Sequence, residues 1–131
     1  MIFLDTSAIY AWADAADANH ATAVRRLQAI FDAGEDLLTH NYVLVESIAL
    51  LQARLGLAAA TKLAKDSTAF VIEWVDDELH AAGVRELEKS KKRHVSLVDH
   101  ISFLVMRRRR IATAFAFDPD FASAGFGLIG R

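Results

Sequence analysis

Ile2-Phe3-Leu4-Asp5-Thr6-Ser7 opens the chain with three apolar residues followed by three that start helices well. A short buried strand that hands over at once to a helix is the repeating step of a parallel α/β fold, where crossovers between strands are helical. The acid at the junction stands where such sheets form their ligand crevices, at the carboxyl end of a strand. The helix begun here is predicted to run through Trp12.

The same alternation continues outward. From about Asp17 to Phe31, Ala21, Val24, Leu27 and Ile30 recur every third residue with Arg25, Arg26 and Gln28 opposite, an amphipathic helix stopped by Gly34. Leu37-Leu38-Thr39 reads as a second strand, and Asn41 as the cap of a third helix reaching about Arg54. Gly56 punctuates a helical hairpin whose second arm ends near Ser67. Phe70 to Val75 has the highest β-propensity in the chain. Asp76, Asp77 and Glu78 then place acids at the positive end of a helix, and Lys89, Lys91, Lys92 and Arg93 place bases at its negative end. Ser96 begins a helix through Met106, Ile111 to Phe117 is strand-like, Asp118-Pro119 begins a turn or short helix, and Gly127-Leu128-Ile129 adds an edge strand. The expected class is α/β, with helices covering a short parallel sheet.

Composition narrows the function. The 131 residues are expected to form one domain, 1–131, with no internal repeat or linker. Absence of cysteine excludes disulfide frameworks, thiol nucleophiles, iron–sulfur clusters and thiolate zinc sites. The first residues lack the basic region of a leader peptide, and no apolar run approaches the ~18 residues of a membrane span. A soluble, cytoplasmic protein is therefore expected. The net charge of −2 looks unsuited to a nucleic-acid partner. Yet with four of the 17 acids set aside in one site, 13 face 15 bases, and the remaining surface is mildly basic.

Four acids stand in apolar settings. Glu46 has Tyr42, Val43, Ala49 and Leu50 as helical neighbours, and a carboxylate on such a face needs a partner, since burying it alone costs several kcal/mol. Asp5 and Asp118 each directly follow a strand, where each also suits a helix N-cap. Asp99 lies in Ser96-Leu97-Val98-Asp99, a capping-box pattern that also turns the acid inward among Leu97, Val98 and Ile101. One convergent cluster accounts for all four. Without Cys or paired His, all-oxygen ligation selects Mg²⁺ or Mn²⁺, and phosphodiester hydrolysis is the natural reaction class.

At these residues the sequence resembles the PIN-domain ribonucleases, and within them the VapC-type toxins of toxin–antitoxin pairs. The resemblance is carried by Phe3-Leu4-Asp5-Thr6-Ser7, by Asn41-Tyr42-Val43-Leu44-Val45-Glu46, by Ser96-Leu97-Val98-Asp99, and by Phe117-Asp118-Pro119-Asp120-Phe121 with Gly125-Phe126. It implies a three-layer α/β/α fold around a short parallel sheet, a Mg²⁺- or Mn²⁺-dependent endoribonuclease, a homodimer, and inhibition by a cognate antitoxin protein. It also implies that Asp5, Glu46, Asp99 and Asp118 are the catalytic acids, that Asp5 and Asp99 hold the metal, and that Ser7 supports the site through hydrogen bonds. Asp120 either assists the metal or charges the first turn of a short helix.

Other features read more plainly. His100 sits beside Asp99 but points about 100° away from it on a helix, so it is expected to be satisfied or exposed rather than a ligand. The stretch Asp17 to His20 reads as a solvated helix start. Arg107-Arg108-Arg109-Arg110 is either a helix end complementing the macrodipole or, with Lys91, Lys92 and Arg93, a phosphate-guiding patch. An apolar share of 53% fits association as well as core, with Tyr10, Trp12, Leu50, Leu51, Leu55 and Leu57 as candidates for a groove or dimer contact. The competing reading is a non-catalytic PIN-fold module binding RNA or protein. Retention of four acids argues against it, because carboxylates without a cation repel one another and RNA alike. Phosphatase chemistry lacks its usual second aspartate, since residue 7 is Ser.

Overall fold

Strands that are buried along their whole length must be covered on both faces, and the first two strands are of this kind. In a computed structural model, which describes residues 1–130, β1 (Ile2–Leu4) and β2 (Leu37–His40) are buried at every position. β3 (Val71–Glu73), β4 (Thr113–Phe115) and β5 (Gly127–Ile129) complete a sheet of order β3-β2-β1-β4-β5, parallel throughout. The helices are α1 (Thr6–Ala13), α2 (His20–Asp32), α3 (Asn41–Leu55), α4 (Leu57–Asp66), α5 (Asp77–Lys89), α6 (Leu97–Arg109) and the short α7 (Asp120–Ser123). α1 packs on α2 and α3, α3 on α4, and α5 on α6, giving the three-layer α/β arrangement expected from the sequence.

Strand order reverses direction beside β1: the chain builds outward to β2 and β3, then returns to place β4 on the other side of β1. That reversal is the switch point at which parallel sheets open a crevice beyond their carboxyl ends. Asp5 follows β1 directly, and its backbone N–H donates to the Phe115 carbonyl of β4 at 3.1 Å.

Several boundaries differ from the expectation for local reasons. The stripe on α2 is Ala23, Leu27 and Ile30, not Ala21 and Val24, which are exposed; the helix starts at His20 and its apolar face is rotated accordingly. α3 is capped by the His40 ring, whose Nδ1 accepts the Val43 N–H, while Asn41 accepts the Val75 N–H through Oδ1 at 2.7 Å. β3 pairs over only three residues because it lies at the sheet edge, beside a strand of four. α5 ends at Lys89, leaving Lys91, Lys92 and Arg93 in the connection to α6. Of the residues expected at an apolar groove, Leu51 belongs to the core, whereas Leu55 and Leu57 are exposed.

Beneath the crevice, Phe121 is fully buried, 6.0 Å from Phe3 and edge-to-face with Phe103 at 5.1 Å between ring centres. These contacts tie α7 to both β1 and α6, fixing the acid that precedes Phe121. His40 is fully buried beside them. Because Nδ1 accepts from Val43, Nε2 carries the hydrogen and donates to Ser102 Oγ at 2.9 Å, which in turn donates to the Val98 carbonyl. The ring is thereby held neutral, and burial pushes its pKa down to about 4.

Candidate active site

Asp5 is the N-cap of α1 and is 4% exposed. Its Oδ2 accepts the Ser7 N–H at 3.1 Å and the Ser7 hydroxyl at 2.6 Å, and Ser7 Oγ accepts the Phe117 N–H at 2.9 Å. The hydroxyl thus joins the start of α1 to the chain leaving β4. Burial outweighs these bonds and raises the Asp5 carboxyl to about 6, with the charges of Asp99 and Asp118 adding to the rise.

Asp99 is half-buried in the first turn of α6. Its Oδ2 accepts the Ser96 N–H at 2.9 Å and Ser96 Oγ accepts the Asp99 N–H at 3.2 Å, a complete capping box. Capping therefore orients this acid without removing it from the crevice. Burial raises its pKa, and the charges of Asp118 and Glu46 add to the effect. Asp118 lies past the end of β4, where Oδ1 accepts the Asp120 N–H at 2.9 Å. Asp120 Oδ1 is in turn 3.0 Å from His94 Nε2 in the α5–α6 connection.

Asp99, Asp118 and Asp120 bring one oxygen each within 4.8 Å of one another. Three hard oxygen donors at this spacing, with no softer ligand among them, fit a Mg²⁺ or Mn²⁺ ion that keeps water and phosphate oxygens in its remaining positions. Burial is the larger cause of the raised Asp5 and Asp99 pKa values, and the charges of neighbouring carboxylates add to both.

A family model described as the PIN domain matches residues 2–127. The chain belongs to the PIN domain family. Two curated relatives, both named 23S rRNA-specific endonuclease VapC20 and both from Mycobacterium tuberculosis (strains CDC 1551 / Oshkosh and ATCC 25618 / H37Rv), are 41% identical over 128 residues, covering 96% of this chain and 95% of theirs. A crystal structure of Mycobacterium tuberculosis VapC20, described as a Sarcin-Ricin loop cleaving toxin, is similar with a TM-score of 0.85 and 38% identity over 96% of both chains. This chain is accordingly a VapC-type nuclease of the PIN domain family.

Within this PIN domain, the acids singled out by sequence fall into two groups. Asp99 and Asp118 meet within 4.8 Å, and Asp5, which is not in that close group, feels the charges of both. Glu46 is exposed on α3 rather than buried on its apolar face, so the expected burial cost and matching partner do not arise; it reaches the cluster only as a charge felt by Asp99. The carboxylate trio includes Asp120, which sequence alone left between two readings. The signal for it was local: in Asp118-Pro119-Asp120 the first side chain accepts the backbone N–H of the third, folding Asp120 back beside it. His94 carried no signal, because its partner lies 26 residues on. His100 is neither satisfied nor exposed. Its Nε2 is buried without a hydrogen-bond partner among the described residues, and the ring stacks edge-on to Phe103.

Proposed function

We propose that this PIN domain, with residues 1–131 acting as one nuclease unit, is the toxin of a toxin–antitoxin pair: a cytoplasmic, Mg²⁺- or Mn²⁺-dependent endoribonuclease that hydrolyses RNA phosphodiester bonds. The observation that carries this reading is the meeting of Asp99, Asp118 and Asp120 within 4.8 Å of one another, with buried Asp5 near enough at the β1/β4 switch point to feel the charges of Asp99 and Asp118. Asp5 and Asp99 would hold the ion, with Asp118 and Asp120 beside them and Glu46 completing the acidic rim. When bound, a divalent cation supplies positive charge for the phosphate oxygens and lowers the pKa of water.

The chain's own residues do the rest. Ser7 keeps Asp5 in one orientation, and the capping box does the same for Asp99. Glu46, exposed and free of hydrogen bonds to the described residues, would orient the attacking water and take its proton. Water adds at phosphorus and the bond to one bridging oxygen breaks, leaving a shortened strand on each side.

The named relatives suggest structured ribosomal RNA as the substrate class. An apolar cleft of about 430 Å³ between α1, α2 and α4, lined by Ile9, Trp12, Leu27, Phe31 and Leu63, supports an antitoxin that contributes an apolar segment. Exposed Leu55 and Leu57, at the turn between α3 and α4, support a homodimer. Among the described residues no helix is long and apolar enough to cross a membrane.

The test is cleavage of a 23S rRNA fragment by antitoxin-free protein in Mg²⁺ or Mn²⁺, against EDTA and against Asp99→Asn purified identically. Metal-dependent cleavage that the folded variant lacks supports the reading. A folded wild type that binds the ion and cuts no RNA in a broad panel turns it toward a binding module.

A further inference from the structure

The two basic runs of the chain, Lys91-Lys92-Arg93 and Arg107-Arg108-Arg109-Arg110, are placed very differently by the fold. The first occupies the α5–α6 connection, and the residue after it, His94, reaches across to Asp120 at 3.0 Å. Three residues of chain span at most about 10 Å, so the Cα atoms of all three basic residues lie within that reach of the His94 Cα. Their side chains are exposed, and none forms an ion pair among the described residues. The connection itself is held in place. The Lys92 N–H donates to Ser90 Oγ at 3.2 Å, and the N–H of buried Val95 donates to the Lys92 carbonyl at 3.1 Å.

The second run ends α6, the helix that carries the chain from Asp99 back toward the start of β4. At ~1.5 Å per residue it lies about 12 to 16 Å from Asp99 along the helix axis. Two of its members already have partners: Arg109 makes a bidentate pair with Glu73, and the Arg107 guanidinium stacks over the Phe126 ring at 5.6 Å.

An RNA strand entering this site meets Asp5, Glu46, Asp99, Asp118 and Asp120, and its phosphates are repelled unless cations flank the acids. We infer that Lys91, Lys92 and Arg93 form the wall of the site that grips the RNA phosphates beside the cleaved bond, latched over the acids by the His94–Asp120 hydrogen bond, and that Arg107–Arg110 stand outside that grip. This rests on the nuclease reading above and deepens it by saying where the substrate strand lies.

The test compares two charge-matched triple variants of the full chain in an Asp99→Asn background, which prevents cleavage. One carries Lys91→Ala, Lys92→Ala and Arg93→Ala; the other carries Arg107→Ala, Arg108→Ala and Arg110→Ala. Binding of a fluorescein-labelled RNA stem-loop in Mg²⁺ is followed by anisotropy across a salt series. The loop variant is expected to weaken binding about tenfold or more and to flatten the slope of log affinity against log salt by about 2, as loss of three phosphate contacts requires. The helix-end variant should change affinity less than about threefold. Equal losses in both variants, or a loss confined to the helix end, overturn the inference. Wild-type cleavage separates it from the broader reading. A wild type that cuts RNA while the loop variant binds like its parent overturns the inference alone, and a wild type that neither binds nor cuts RNA overturns both.

Discussion

Ser7 holds Asp5 through a single carboxylate oxygen, with its hydroxyl at 2.6 Å and its N–H at 3.1 Å from Oδ2. The same hydroxyl oxygen accepts the Phe117 N–H, so one side chain joins the β1 exit to the β4 exit. Ser7→Ala leaves a partly buried N–H without its partner and removes the shorter bond to Asp5. We expect a loss of about 1–3 kcal/mol in urea denaturation, a further rise of the Asp5 pKa above about 6, and slower cleavage with the metal requirement intact. An alanine variant as stable and active as wild type would refute the joining role.

The pH dependence of stability in the metal-free protein has two opposed parts. His40 falls from 6.5 to about 4 on folding, so its contribution is complete above pH 6.5 and is lost as pH drops through 4. Asp5 rises from 3.8 to about 6, so its contribution is complete below pH 3.8 and is lost as pH climbs through 6. Asp99 shifts in the same direction as Asp5. Between pH 4 and 6.5 these slopes partly cancel. Asp5→Asn removes the larger acid effect, so stability in EDTA should climb with pH across this window and exceed wild type at pH 8 by up to about 3 kcal/mol. A variant no more stable than wild type at pH 8 would contradict the assignment of an uncompensated buried charge.

Neutralising one member of the cluster should be felt by the others. Asp118→Asn is expected to lower the pKa values of both Asp5 and Asp99, read by carboxyl-carbon NMR titration, because its charge helps raise each. Its cleavage rate should fall by about 100-fold or more, the scale on which loss of one preorganised charge-stabilising group is felt.

Binding of Mn²⁺ should stabilise the wild type by about 2.7 kcal/mol at a hundredfold excess over Kd. The same titration of Asp99→Asn should give little or no shift, although this variant is expected to be no less stable than wild type without metal. Equal stabilisation of both proteins would place the ion elsewhere.

Gly83 lets α5 approach α6 closely. A Cβ there would overlap Ile101 Cδ1 and come within 3.2 Å of Leu97 Cδ1, and Ile101 is fully buried. Gly83→Ala gains helix propensity yet overpacks the interface, with a net loss of about 1–2 kcal/mol expected in thermal or urea unfolding. Cleavage should also weaken, since Ile101 lies two residues beyond Asp99.

The fold was readable where local chemistry and global position agree. Ile2-Phe3-Leu4-Asp5 is at once a buried strand, a helix cap and a crevice edge, and each property is visible in residue type. Asp99 was readable for the same reason, its capping box being local. Glu46 was misplaced because the apolar residues around it occupy more of the helix circumference than the core covers: Val45 beside it is 66% exposed. The extent of β3 was overestimated because propensity takes no account of partners, and the Val75 N–H is taken by Asn41 rather than by a neighbouring strand. His94 and Asp120 meet only through tertiary folding, which no spacing in the chain announces.

The reversal of strand order beside β1 also sets a timetable. Asp5 is synthesised well before its neighbour strand β4 and the acids that follow it, and the bond between Ser7 and Phe117 closes a separation of 110 residues. No nascent chain can assemble the carboxylate cluster until Asp118 and Asp120 have left the ribosome. Topology alone therefore keeps the two halves of this site apart while the chain between Ser7 and Phe117 is still being translated.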